Sequence, residues 1–502
     1  MNSLEGLYYG FSVALTPGNL LAAMVGAVLG TFVGVLPGIG PLGALAILLM
    51  ATPWVQPVTA VILLAGVYYG AMYGGSTTSI LVNVPGESAS VVTCMEGYLM
   101  AKRGRAGAAL AVAAVGSFLA GTAGVVVLML VAPPLAQLAL VLGYPEYFAI
   151  ALLGLFALSR LSSGSFWRSI VVLAFGLMLS TVGMDTVSGA LRYTFGINIL
   201  GQGVEIISVA MGLYGVAEVL IIAEQSGGLP QITAFKFRDL FPTRREWDRS
   251  MPAIARGTGV GLVLGLIPGP ACFLSAFASF NLERRMSKGR EEFGKGAIEG
   301  VAGPEAANNA AASSTLVPLL GLGIPFSPVT ALLLAALMIH GVQPGPLLIT
   351  EHPEVFWGVV ASMYIGNVAL LVLNFPLVGL WVSLLRVPQP LLCALILIFM
   401  LVGTYSLNNS ILDLVVLVVM GIIGYVLRKL RFDVSPMIVA LVLGPMLEKT
   451  FRQSLMTSGG SFSVFTSRPI TVTILLMVVA VLILPPLWRL VRPGPRPARG
   501  GD

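Results

Sequence analysis

Apolar residues run in long continuous blocks along this chain, and proline-glycine phrases interrupt the blocks at four places. Two interruptions read almost alike, about half a chain length apart: Gly34-Val35-Leu36-Pro37-Gly38 before Ile39, and Gly265-Leu266-Ile267-Pro268-Gly269 before Pro270. Each is followed by a second one, Asn83-Val84-Pro85-Gly86-Glu87-Ser88 and Gly323-Ile324-Pro325-Phe326-Ser327-Pro328. Proline lacks the backbone donor and glycine tolerates positive φ, so each phrase breaks a helix. Unalternating apolar runs exclude a transmembrane barrel. They predict an all-α polytopic membrane protein with about 12 hydrophobic segments at roughly 20 residues per span, some of them half-length. Broken backbone in hydrocarbon is tolerated only under cover of protein or around a water-filled cavity. Paired breaks at corresponding positions of two halves mark the binding site of a secondary transporter.

Between and after the breaks lie ordinary spans, expected at 106–131, 147–158, 169–183 and 204–223, then at 355–385, 391–405, 411–427, 436–447 and 470–488. Composition agrees. Hydrophobic residues make up 57% of the chain and charged residues 10%, against about 25% charged in a soluble protein, so most of the surface faces lipid. Residues 1–10 contain no Lys or Arg, and so lack the basic region of a cleaved signal peptide. Cys94, Cys272 and Cys393 are far apart in apolar runs and read as small hydrophobes. With only His340 and His352, a histidine metal site or a Ser/His pair is disfavoured.

The net charge of +6 comes from loop clusters, which the positive-inside rule places in the cytoplasm, and is not a nucleic-acid signal. The clusters are Lys102-Arg105, Lys236-Arg256, Arg284-Lys295, Arg428-Arg431 and the tail after Leu490. If the second and third share a side, the apolar run 257–282 must enter and leave on that side. It is too short for two spans of about 20 residues each, so it predicts a re-entrant hairpin with its tip at Pro268-Gly269. The first-half partner has flanks without basic residues. It is expected to enter from the opposite face, with its tip at Pro37-Gly38, as in an inverted-topology repeat. The expected organisation is a first transmembrane repeat (1–225), a cytoplasmic connecting loop (226–256), a second repeat (257–488) and a disordered basic tail (489–502).

Polar residues inside apolar sequence concentrate near the breaks: Tyr73 to Ser79 and Asn83 to Ser88 in the first half, Gly303 to Asn309, Ser313 to Thr315 and Gly323 to Pro328 in the second. Helix N-termini after a break aim N–H groups and a positive dipole end at an anion. Freed carbonyls and helix C-termini suit Na⁺. Candidate substrate ligands are Pro37, Gly38, Gly40, Ser76, Thr77, Thr78, Asn83, Gly86, Gly269, Asn308, Asn309, Phe326 and Ser327. Glu87, Glu305, Asn83 and Asn308 are candidates for ion coupling, with Na⁺ placed at Asn83, Gly323 and Asn308. Each has a plainer reading. Hydroxyls and amides often bond back to their own helix. Glu87 and Glu305 serve equally as helix caps, Glu305 because it follows Pro304. No basic residue lies within the four breaks, so an anionic substrate would be met by helix ends, amides and co-bound cations.

The residues also carry a family resemblance. Gly34-Val-Leu-Pro-Gly-Ile-Gly-Pro41, Tyr73-Gly-Gly-Ser-Thr-Thr-Ser-Ile80, Asn83-Val-Pro-Gly-Glu87, Phe293-Gly-Lys-Gly-Ala-Ile-Glu-Gly-Val301, Pro304-Glu-Ala-Ala-Asn-Asn309 and Leu322-Gly-Ile-Pro325 stand in the family's order. The chain resembles, end to end, the large membrane subunit of the tripartite tricarboxylate transporters. The resemblance implies a bacterial inner-membrane importer of citrate-like carboxylates, driven by Na⁺ or H⁺ and using no other cofactor. It implies a small membrane subunit and a periplasmic substrate-binding protein as partners, and an elevator mechanism by analogy with related carriers. Two departures bear on which carboxylate fits. Phe326 stands where the family carries glycine, which is expected to change the pocket's shape, and Pro270-Ala271-Cys272 follows the second tip. An intramembrane enzyme on a lipid-linked substrate is the rival reading, and a passive channel the third. The first would need a nucleophile with a base or metal at the breaks. The second would need a ring-forming pore helix.

Overall fold

The computed structural model describes residues 2–36, 40–161, 165–185, 188–224, 237–384 and 389–491; Pro37, Gly38, Lys236 and the tail after Val491 lie outside the described residues. The first half runs α1 (Ser3–Ala14), α2 (Pro17–Val35), α3 (Gly40–Leu49), α4 (Pro57–Val82), α5 (Val91–Lys102), α6 (Ala106–Ala139), α7 (Tyr144–Leu161), α8 (Phe166–Ser180), α9 (Ile206–Ala210) and α10 (Ala217–Glu224). A π-helical turn, Met211–Val216, joins the last two into one span. A two-residue β-hairpin, β1 (Gly183–Met184) with β2 (Leu191–Arg192), precedes them. The second half runs α11 (Arg244–Gly265), α12 (Ala271–Met286), α13 (Glu299–Ser314), α14 (Leu316–Leu322), α15 (Pro328–Ile339) and α16 (Leu348–Glu351). It continues with α17 (Pro353–Asn374), α18 (Val378–Leu384), α19 (Gln389–Asn408), α20 (Ile411–Lys429), α21 (Ser435–Thr457) and α22 (Pro469–Val491). Among the described residues, α2, α4, α6, the α9–α10 span, α17 and α20 are long and apolar enough to cross a membrane, with shorter apolar helices between them. The protein is an all-α, multi-pass membrane protein.

Several boundaries differ from the sequence expectation, α6 for example running on to Ala139, and three of the differences have a clear local reason. The run 355–385 divides after Asn374, because Pro376 has no donor to continue the helix. The stretch expected as a connecting loop is helical from Arg244. There Thr243 and Glu246 form a capping box, with Thr243 N–H donating to the carboxylate at 2.6 Å. The run 436–447 continues to Thr457, since Glu448 and Arg452 pair one turn apart at 2.7 Å and extend the helix past its apolar part.

Glycines set the closest packing in both halves. Gly26, Gly30 and Gly34 fall on one stripe of α2, four residues apart, against α4. A Cβ at Gly30 would stand 2.4 Å from the Val67 carbonyl oxygen and 2.8 Å from Gly70 Cα. Gly257, Gly261 and Gly265 form the same stripe on α11 against α13, where a Cβ would meet the carbonyl oxygens of Gly303 at 2.1 Å, Ala307 at 2.2 Å and Ala311 at 2.8 Å. Contacts ascend together along both pairs, so each hairpin's first leg runs parallel to the broken helix that follows. Small residues permit this backbone approach where lipid offers no hydrophobic drive for helices to associate.

The two broken helices run in opposite senses. Val58 to Tyr73 of α4 lie in the larger apolar core with the far end of α6, and Ile80 to Val82 lie in a second core with Ala106 to Ala113. Helix α13 begins in that second core, at Val301 and Ala302, and passes through Ala312 into the larger one with α14.

The polar ends of α11, α12 and α13 are tied by charge. Arg256 clasps Glu283 at 2.8 and 2.6 Å, and Arg249 bridges Glu292 and Glu299. Glu299, at the start of α13, is thus an ion-pair residue at the base of the second hairpin. Glu96 of α5, fully buried, accepts three backbone N–H bonds from the other half: Gly294 at 2.5 Å, Gly296 at 2.8 Å and Ala297 at 2.9 Å. Glu96→Ala would leave three backbone donors without their acceptor, and the buried one, Ala297 N–H, alone costs about 1–3 kcal/mol. A thermal melt of the purified variant should show a marked loss of stability. An unchanged melting temperature would show that the 294–297 segment is held by something else.

Candidate functional site

Four helix starts open on one cavity of about 380 Å³. Gly40 and Pro41 begin α3, and Glu87 and Ser88 lead into α5. Pro270 and Ala271 begin α12, and Ser327 and Pro328 begin α15. All four sequence interruptions therefore reach the same space. Both broken helices stop with a left-handed residue, Asn83 at φ 61° and Gly323 at φ 74°. Each following element then starts with a capping box, Glu87 with Ser90 and Ser327 with Thr330. The second tip docks on the second break through Gly269 N–H to the Phe326 carbonyl, at 2.9 Å.

The remaining wall comes from other helices: Tyr68 and Met72 of α4, Tyr214 and Glu218, Thr315, Arg428 of α20 and Ser435 of α21. Tyr68 Oη lies 3.4 Å from Cys272 Sγ. Beside the cavity two buried carboxyl groups join the halves. Glu305 of α13 accepts from Ser76 Oγ at 2.6 Å and from Thr93 Oγ1, both in the first half. Asn308, one turn further along α13, donates to Glu87 at 3.2 Å, and Glu87 also accepts from Ala89 N–H at 2.6 Å. None of these partners of the two carboxyl groups is basic. The Asn308 Oδ1 is buried without a hydrogen-bond partner.

The structure sorts the candidate residues. Gly40, Gly86, Glu87 and Ser327 line the cavity; Ser76, Asn308 and Glu305 form the cluster beside it. Thr77 faces a void of about 10 Å³ between α4 and α6, and Thr78 bonds back to the Gly75 carbonyl at 3.4 Å. Asn309 points to α6, donating to Ser117 Oγ at 2.8 Å. Asn83 is exposed and closes α4, and Gly323 packs on the Pro344 carbonyl, so neither lines the cavity. Pro37 and Gly38 are outside the described residues. Phe326 lends its carbonyl to the hairpin while its ring faces Gly154 of α7, with a Gly154 Cβ falling 3.8 Å away. The glycine-to-phenylalanine departure thus repacks the outside of the break and does not narrow the cavity.

Glu87 is a cap, as one of its two readings had it. Glu305 is not, because α13 starts at Glu299 and carries Pro304 inside it. Sequence reading missed Glu218, Arg428, Tyr68 and Thr93. Glu218 had a usable signal: it is an acid near the middle of an apolar run, and such residues are rare and functional by default.

The profile of the tripartite tricarboxylate transporter TctA family matches residues 20–439. The chain belongs to that family. It is 45% identical over 484 residues to an Agrobacterium vitis relative described as a 52.8 kDa protein in the TAR-I ttuC' 3'region, covering 96% of each chain. A second relative from that organism, a protein in the TAR-II ttuC' 3'region, is 46% identical over 228 residues, which are 45% of this chain and 94% of the relative. No solved structure matches. The chain is thus a membrane component of a tripartite tricarboxylate transporter.

Proposed function

We propose that this protein is the translocating subunit of a secondary importer for citrate-like or other small carboxylates, driven by Na⁺ or H⁺. The observation that carries the reading is the convergence of four helix N-termini, two from each half, on one cavity. Each turns a positive dipole end toward an anion, although caps already take the Ala89 and Thr330 N–H groups, and the cavity is at a scale that holds a small ligand. The cation requirement follows from the same place. Burying an unpaired carboxylate charge costs several kcal/mol, and a proton or a hard cation offsets that cost. Glu87, Glu305 and the free Asn308 Oδ1 supply oxygen donors suited to such a cation. It would also screen Glu87 from the substrate's charge.

The opposite senses of α4 and α13 support two inverted repeats, with the α2–α3 and α11–α12 hairpins entering from opposite faces. On this reading the hairpins and broken helices move as an elevator against a scaffold that includes α20 and α21. The protein works in the bacterial inner membrane with a small membrane subunit, fed by a periplasmic binding protein.

Cys272 provides a test of the cavity. With Cys94→Ser and Cys393→Ser leaving it as the lone thiol, its alkylation by a maleimide should slow severalfold when citrate and Na⁺ are added together. Equal rates with and without a panel of carboxylates, in Na⁺ and at acid pH, would rule the cavity out as the substrate site.

A further inference from the structure

Arg428 is the one basic residue on the cavity wall among the described residues. It reaches the cavity from the last turn of α20, outside all four breaks. Its guanidinium donates to Glu218 Oε2 through Nη1 and to the Leu213 carbonyl through Nη2 at 3.2 Å, and it lies over the Tyr214 ring at 5.7 Å. Leu213 and Tyr214 belong to the π-helical turn, a geometry concentrated at functional sites. Tyr214 Oη is buried on the same wall, beside the Ser435 side chain.

A planar guanidinium engages a carboxylate through two parallel N–H bonds. At this wall Glu218 takes one such bond, from Nη1, while Nη2 goes to the Leu213 carbonyl. An acid-base pair facing an anion cavity is an exchangeable one, because an incoming carboxylate offers Arg428 the same bonds that Glu218 does. Tyr214 Oη adds a second donor to such a group. The four helix starts hold one end of the substrate.

We propose that Arg428 is the specificity residue for a second carboxylate. Glu218 is the internal surrogate that holds the guanidinium until a substrate carboxylate displaces it. The inference rests on reading the cavity as a carboxylate site and adds a selection rule to it. A monocarboxylate engaged at the helix starts has nothing with which to displace Glu218, so di- and tricarboxylates are preferred.

The test compares citrate, succinate and butyrate binding to the purified wild-type protein and to two variants, in the presence of Na⁺. Arg428→Lys keeps the charge but loses the fork. The double variant Arg428→Gln/Glu218→Gln removes both members of the pair and leaves no stranded charge, which safeguards folding; monodisperse elution checks that it does. The expected result is a preference for citrate and succinate over butyrate that shrinks at least tenfold in the double variant and severalfold in Arg428→Lys. An unchanged preference in a folded double variant overturns the role of Arg428 while leaving the carboxylate site standing. A wild-type protein that binds none of the three overturns the carboxylate site, and this inference with it.

Discussion

Gly261→Leu is expected to abolish recovery of folded protein, while Gly259→Leu on the same helix leaves it intact. A Cβ at Gly261 would stand 2.2 Å from the Ala307 carbonyl oxygen and 2.7 Å from Ala310 Cβ; at Gly259 nothing lies within 4 Å. Overpacking an ordinary core costs about 1–3 kcal/mol because neighbouring side chains can rotate away. Here the obstacle is backbone, so α11 and α13 must separate along their whole length. That separation would also pull apart the Gly257 and Gly265 contacts. Gly259 faces outward, and leucine there improves helix propensity. Size-exclusion chromatography of the two detergent-solubilised variants reads the difference: a monodisperse peak for Gly259→Leu and aggregate for Gly261→Leu. Equal behaviour of the two would contradict the packing described here.

Glu305→Gln is expected to leave the protein folded and to reduce cation-driven accumulation of substrate at least tenfold, towards simple equilibration. The amide keeps the volume of the carboxyl group. Ser76 and Thr93 each have a hydroxyl that can donate or accept, so hydrogen bonding survives by rotation of those hydroxyls. Only the charge is removed. Glu87→Gln should have a smaller effect, because an amide oxygen still accepts from Ala89 N–H and keeps the cap. Uptake by reconstituted variants under an imposed gradient measures both. A Glu305→Gln protein with wild-type accumulation would remove Glu305 from coupling and leave it a structural hydrogen-bond acceptor.

Much of this architecture can be read from where glycine and proline fall. Pro268-Gly269 and Pro325 each interrupt an apolar run, and an interrupted helix in lipid must be covered, so the breaks had to gather. Charge pointed to the second hairpin, because the positive-inside rule places the basic clusters flanking 257–282 on one side, and α11 and α12 do form a helical hairpin. Long-range partners were hidden. Nothing local distinguishes Thr93 from other threonines, and its bond to Glu305 exists only because the two halves pack face to face. Arg428 was read as part of a loop cluster with Lys429 and Arg431. The last turn of α20 turns it inward while Lys429 pairs with Glu224 outside. Glu96 lies before a basic cluster and looks like a surface acid, yet it is the buried acceptor for a glycine-rich turn some two hundred residues away. Phe326 shows the opposite error: an unusual residue at a critical break looked decisive for the pocket, but its ring points away.

The central claim is that carboxylate and cation share the cavity formed by the four breaks and cross the membrane together. The most direct measurement is uptake of radiolabelled citrate and succinate into proteoliposomes holding this chain and its small membrane subunit, with the periplasmic binding protein outside. The account predicts accumulation above the external concentration when an inward Na⁺ or H⁺ gradient is imposed, collapsing when an ionophore dissipates it. Uptake that stops at equal concentrations under both gradients would contradict it.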